Sequence, residues 1–150
     1  MSVADDAAAI FSQHFNCSQA VLASCGPRHG LDRQTALRVA EAFGGGMGRM
    51  GLTCGAVTGA FMVIGLVHAK LTPEDNASRE KSIALVRRFR QAFEAKHGSI
   101  CCRELLGCDI STPAGFQEAM DRGLFQTVCP NLVRDAATIV EELLASEKTA

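Results

Sequence analysis

The side chains whose chemistry needs explaining first are seven cysteines in 150 residues: Cys17, Cys25, Cys54, Cys101, Cys102, Cys108 and Cys129. Thiols ligate soft metals, exchange with disulfides, or simply pack as small apolar groups. An odd number excludes a fully paired disulfide framework within one chain. No pair is spaced C-x-x-C and no C-x-x-C-H occurs. A four-thiolate site would therefore be assembled from distant segments, which no spacing rule detects.

The elements that must position these thiols are read from caps and apolar stripes. Ser2 caps a helix to about Phe15, and Asn16 with Gln19 has capping-box spacing for a helix starting at Cys17, ended by Gly26-Pro27. Asp32 caps a third helix with Ala36, Leu37, Ala40 and Phe43 as its stripe. Five glycines between Gly44 and Gly51 make a loop, after which Thr53 caps a helix from about Cys54 to Ala69. Thr72-Pro73 opens the next segment, whose apolar face is Ile83, Val86, Phe89, Ala92 and Phe93, and Gly98 closes it. Ser99 caps a short helix to about Leu106, and Thr112-Pro113 opens another that stops at Gly123. Cys129-Pro130 begins the last, with Leu132, Ala136, Ile139, Val140 and Leu143 on one face. No alternating run competes, so the expected fold is all-α: an irregular bundle of about six helices in a single domain over residues 1–150.

On this reading Cys17, Cys54, Cys102 and Cys129 fall at or in the first turn of four different helices. The free N–H groups and the dipole there favour an anion, and a thiolate is one. Four such ends aimed together require something negative between them, so the four cysteines are expected to share a site. One tetrahedral metal would hold the sulfurs about 3.8 Å apart, and a disulfide would bring two Cα atoms to roughly 4.4–6.8 Å. Cys54 combines a helix start, the glycine loop and Arg49, and is the expected most reactive thiol. Cys25 sits at a helix C-terminus, where a thiolate is disfavoured. At most one of Cys101 and Cys102 is expected to face the site.

Gly46, Gly48, Arg49 and Gly55 are the candidate cofactor contacts: glycines let backbone approach a ligand, and Arg49 can neutralise an anion. The loop lacks the Lys-Ser/Thr ending of a phosphate loop, and no strand precedes it. Gly51, Gly55 and Gly59 recur every four residues and predict close helix packing. His14, His29, His68 and His97 lie near helix ends and read as solvated or capping groups.

Fifteen basic and sixteen acidic residues give a net charge of −1, which recruits neither nucleic acid nor an anionic membrane. Trp and Tyr are absent, and the eight Phe read as core. The N-terminus has no basic region followed by an apolar run, and the apolar stretch from Ala56 to Val67 is shorter than the roughly 20 residues of a membrane span. The expected location is the cytoplasm.

The segments Asn16-Cys17-Ser18-Gln19-Ala20-Val21, Gly44-Gly45-Gly46-Met47-Gly48, Thr53-Cys54-Gly55-Ala56-Val57-Thr58-Gly59-Ala60, Cys102-Arg103-Glu104-Leu105-Leu106-Gly107 and Cys129-Pro130 occur in that order. In this the chain resembles the C-GCAxxG-C-C family of redox-active proteins over nearly its whole length. The family's four cysteines match Cys17, Cys54, Cys102 and Cys129. The resemblance implies a redox protein with a prosthetic group such as an iron–sulfur cluster, in company with transport and oxidoreductase functions. Some members carry a twin-arginine export signal, which this N-terminus does not show.

Two classes follow. One is a redox protein whose four cysteines ligate an iron–sulfur cluster or a single metal ion, or cycle between dithiol and disulfide, serving a redox partner protein or a small-molecule partner. The other is a non-catalytic helical binding module with structural zinc or inert buried cysteines. A second copy of the chain is a further candidate partner.

Overall fold

The computed structural model describes residues 1–148, whose regular secondary structure is helical, with one isolated bridge between Thr53 and Cys101. The helices are α1 (Val3–Ser12), α2 (Cys17–Cys25), α3 (Arg33–Ala40), α4 (Gly55–His68), α5 (Asn76–His97), α6 (Cys102–Leu106), α7 (Pro113–Asp121), α8 (Leu124–Thr127) and α9 (Cys129–Lys148). Short 3-10 turns occupy Gly26–His29 and Glu41–Phe43. The count exceeds the expected six or so because the chain is cut into short pieces around the cysteines, α6 having five residues and α8 four.

Two sequences without acidic residues, Lys or Arg explain the centre of the bundle. In α2, CSQAVLASC, every residue from Ser18 to Cys25 is buried. In α4, GAVTGAFMVIGLVH, the first six residues are buried together with Val63 and Ile64. A helix apolar on most sides belongs inside, whereas α1, α3, α5 and α9 have one apolar face each and wrap around the pair. The α2–α4 contact is close because Gly55 and Gly59 face it: a Cβ on Gly59 would stand 2.9 Å from the Ser18 carbonyl oxygen. The third glycine of the expected face, Gly51, lies before the helix, where a Cβ would meet the Arg103 side chain at 2.8 Å.

The α5 stripe is Leu85, Phe89 and Phe93, each fully buried, with Phe89 stacked on Phe93 at 5.7 Å between ring centres. Ile83, expected on that face, is 40% exposed. A spacing of four places Leu85 under the Phe89–Phe93 row, and position 83 rotates outward. A second apolar cluster, with Ile110, Ala119 and Leu124, joins α6, α7 and α8 to the start of α9.

Most caps fall where the sequence puts them: Ser2, Asp32 and Thr112 accept from backbone N–H groups three residues on. Three starts differ. The cap of α5 is Asp75, which accepts from Ser78 N–H at 3.1 Å; its carboxylate is the stronger acceptor, and Thr72-Pro73 stays in the preceding turn. Thr53 is taken up by the bridge to Cys101, so Cys54 itself occupies the N-cap of α4. Ser99 accepts from Cys101 N–H, and α6 starts at Cys102. Helix α1 ends at Ser12 rather than near Phe15, and His14 takes a left-handed φ of 71° as the chain turns into α2.

The α2 capping box is complete. Gln19 N–H donates to Asn16 Oδ1 at 2.9 Å, Asn16 N–H donates to Gln19 Oε1 at 3.0 Å, and Asn16 Nδ2 donates to the Glu41 carbonyl at 2.8 Å. Asn16→Ala is expected to cost about 2 kcal/mol, since it removes a cap and a bond to the next segment together. Urea unfolding reads this as a lower midpoint with an unchanged slope. No helix among the described residues is long and apolar enough to cross a membrane.

Candidate functional site

Cys17, Cys54, Cys102 and Cys129 line one cavity of about 920 Å³. Four helices bring them there: Cys17 is the first residue of α2, Cys54 the N-cap of α4, Cys102 the first residue of α6 and Cys129 the first of α9. Cys54, Cys102 and Cys129 are buried and Cys17 is half-buried; all seven cysteines are free thiols. The glycine loop closes over them. A Cβ on Gly46 would meet Cys102 Cβ at 2.8 Å, and one on Gly55 would lie 3.3 Å from Cys17 Sγ. The stretch beyond the loop is pinned to α6 by Cys54 N–H to the Ile100 carbonyl at 2.8 Å and Cys102 N–H to the Leu52 carbonyl at 2.6 Å.

The four sulfurs are not equivalent. The Cys129 and Cys54 thiols beside Cys17, together with the Gly45 and Cys17 backbone N–H groups, hold the Cys17 pKa well below the ordinary thiol value against its burial. The same neighbours move in the other direction. Cys54 is raised by the Cys17 sulfur and by burial, although the Ala56 and Val57 N–H groups at the start of α4 oppose this. Cys129 is raised by the Cys17 sulfur and by burial. Cys102 is raised to about 12, by burial first and then by the negative sulfurs around it.

The pKa directions favour Cys17 over Cys54, the thiol expected to be the most reactive. A buried cluster tolerates one negative charge far better than several. Helix starts alone do not decide which sulfur carries it.

The remaining cysteines lie elsewhere. Cys25 is fully buried at the end of α2, and its pKa is pushed up to about 12 by burial and by Glu141. Cys101 Sγ is 3.6 Å from the Gly51 carbonyl, so of the adjacent pair only Cys102 lines the cavity. Cys108 joins the second apolar cluster. Among the histidines, His29 pairs with Glu141 at 3.0 Å and His97 with Asp135 at 2.8 Å.

Of the loop positions expected to contact a cofactor, Gly46 and Gly55 pack on cysteines, and Gly48 lines the cavity with open space at its Cα. Arg49 also lines the cavity, with its guanidinium over the Phe116 ring at 4.3 Å from the centre. Sequence reasoning missed Gly45, which gives Cys17 a backbone N–H, and the far wall built from Phe11, Phe116, Met120 and Phe125. These phenylalanines carry no local signal separating a cavity wall from ordinary core.

All-thiol donors suit iron–sulfur or zinc chemistry. As placed, however, no group of three or more His, Cys, Asp or Glu side chains among the described residues could hold a metal ion. Two neighbouring thiols against one electron-rich sulfur is an arrangement suited to disulfide exchange.

No curated protein and no solved structure matches the chain. A family model described as "Putative redox-active protein (C_GCAxxG_C_C)" matches residues 15–143, a span that contains all four cavity cysteines, and the chain belongs to that family.

Proposed function

We propose that the protein is a thiol–disulfide redox protein in which Cys17 is the attacking sulfur and Cys54 or Cys129 resolves the mixed disulfide. The observation that carries this is the lining of one cavity by Cys17, Cys54 and Cys129, beside which the Cys17 pKa is held below the ordinary thiol value. Two thiols lose two electrons and two protons as they form one disulfide, and an external disulfide takes them up. A dithiol reductant returns the protein to its starting state. The surroundings favour attack by Cys17 because its thiolate is held by donors already in place. Cys102 stands at the same wall with its proton retained.

Iron–sulfur ligation by the same four cysteines is the second reading, supported by their lining one cavity of more than ionic size. One preparation distinguishes the two. Protein purified without oxygen is analysed for iron and sulfide, then oxidised and mapped by mass spectrometry. The expected product is an internal disulfide from Cys17 to Cys54 or Cys129, in protein free of stoichiometric iron. Broad visible absorption with stoichiometric iron and sulfide favours the cluster. Zinc without colour favours a structural site, and neither metal nor disulfide leaves buried, inert thiols.

A further inference from the structure

The cavity is larger than its sulfurs need. Its volume of about 920 Å³ falls within the roughly 300–1,000 Å³ of small-molecule sites, and its wall away from the cysteines carries Phe11, Phe116, Met120 and Phe125, with His14, Glu41 and Gln126 as polar lining. Cys54, Cys102 and Cys129 are 4%, 7% and 6% exposed. Cys17 is half-buried, and a small molecule entering the cavity reaches it and the three deeper cysteines together.

Arg49 supplies a charge on the same wall. Its backbone is left-handed, with φ 61°, in a loop where Gly45, Gly46, Gly48 and Gly51 supply most of the positive φ values. Glycine would sit there without strain, so the side chain is what the position retains. The guanidinium carbon lies over the Phe116 ring, and the group has no carboxylate partner among the described residues, unlike Arg28, Arg88 and Arg134. A cation–π contact uses the charge without taking up the N–H donors, which remain for a planar anion. The charge is also near the sulfur. A Cβ on Gly45 would stand 2.9 Å from Arg49 Cγ, and Gly45, Arg49 and Cys17 line the same cavity.

We propose that the cavity takes a low-molecular-weight disulfide with an apolar or aromatic body and a carboxylate, the carboxylate held by Arg49 and the S–S bond presented to Cys17. This rests on the thiol–disulfide reading. Cys17 sulfur attacks one sulfur of the ligand, forming a mixed disulfide and releasing the other half as a thiolate. That thiolate takes the proton of Cys54 or Cys129, whose sulfur then attacks Cys17 Sγ and expels the second half. Two electrons pass from the protein dithiol to the ligand, and the ligand leaves as one thiol and one thiolate.

The test compares two aromatic disulfides, the anionic dithiobis-nitrobenzoate and the neutral dithiodipyridine, by stopped-flow against reduced protein. Each rate is divided by that of mercaptoethanol to remove intrinsic reactivity. The wild-type protein is expected to prefer the anionic probe. Arg49→Gln should lower that preference about tenfold, as loss of a charge-assisted bond implies, and Arg49→Lys should restore part of it. An equal change with both probes, or no change, overturns the anion site. Mapping the products separates this from the underlying reading. If the wild type forms no disulfide between Cys17 and Cys54 or Cys129 with either probe, thiol–disulfide function fails and the inference fails with it. If that disulfide forms while the preference ignores Arg49, only the anion site is wrong.

Discussion

Between pH 8 and pH 6, alkylation of Cys17 in the metal-free reduced protein is expected to slow less than that of Cys54, Cys102 and Cys129, which should slow about 80-fold or more. An ordinary thiol with pKa about 8.5 is only slightly ionised at pH 6, so its rate follows the vanishing thiolate. Cys17 is held well below that range by the Cys129 and Cys54 thiols and by backbone N–H groups. The sign follows from its being an acid whose ionised form is favoured: its thiolate survives as pH falls, down to the lowered pKa. A lower pKa also makes the sulfur intrinsically less nucleophilic, by about threefold per unit, against a tenfold gain in ionised fraction. The net advantage at pH 6 is therefore about threefold for each unit of depression until Cys17 is half ionised.

Single substitutions separate the roles. Cys17→Ser should abolish the phase that persists at pH 6. Cys54→Ala should leave that phase in place but move it to higher pH, because one of the thiols that lower the Cys17 pKa is gone. Cys25, fully buried and pushed up to about 12, should label slowest throughout. Loss of the phase in Cys54→Ala together with its survival in Cys17→Ser would return the leading role to Cys54.

The difference between Cys17 and Cys54 marks the limit of what the chain discloses by itself. The Asn16–Gln19 box and the Asp32 and Thr112 caps are interactions over three residues, so the order of residues is enough to see them. The uncharged segments that become α2 and α4 are equally local in their signal. The placement of four cysteines at helix starts followed from Asn16, Thr53, Ser99 and Cys129-Pro130, and it holds although Thr53 gave up its cap to Cys54. The ranking of the sulfurs is different in kind. It depends on which thiols and backbone N–H groups surround each sulfur once α2, α4 and α9 pack, for which no periodicity exists. The same is true of Arg49 on Phe116, residues 67 positions apart by their numbering. Side chains on α1, α7 and α8 form the cavity wall only after the bundle closes. Local rules place the groups, and packing assigns their work.

Gly46→Ala is expected to cost about 3 kcal/mol or more, against about 1 kcal/mol for Gly48→Ala, although the two glycines are two residues apart in one loop. Both have left-handed backbones, with φ 68° and 57°, which tax an alanine by roughly 1–2 kcal/mol. Their surroundings differ. A Cβ on Gly48 would meet nothing within 4 Å. A Cβ on Gly46 would lie 2.5 Å from the Leu52 nitrogen and 2.8 Å from both the Gly51 carbonyl carbon and Cys102 Cβ. Two of these atoms are backbone and cannot rotate aside. Leu52 is held from both directions, its N–H donating to the Gly46 carbonyl at 3.0 Å and its carbonyl accepting from Cys102 N–H at 2.6 Å. Moving Leu52 therefore strains the loop and pulls on the first residue of α6. The cost should appear in urea unfolding as a large drop in midpoint for Gly46→Ala and a small one for Gly48→Ala. It should also appear at the site, because Cys102 is 7% exposed only while this packing holds. Alkylation of Cys102 in folded Gly46→Ala, at a denaturant concentration well below its midpoint, is expected to be at least several-fold faster than in the wild type. Equal stability losses in the two variants, with Cys102 labelling unchanged, would show that the loop yields at Gly46 without moving the thiol wall.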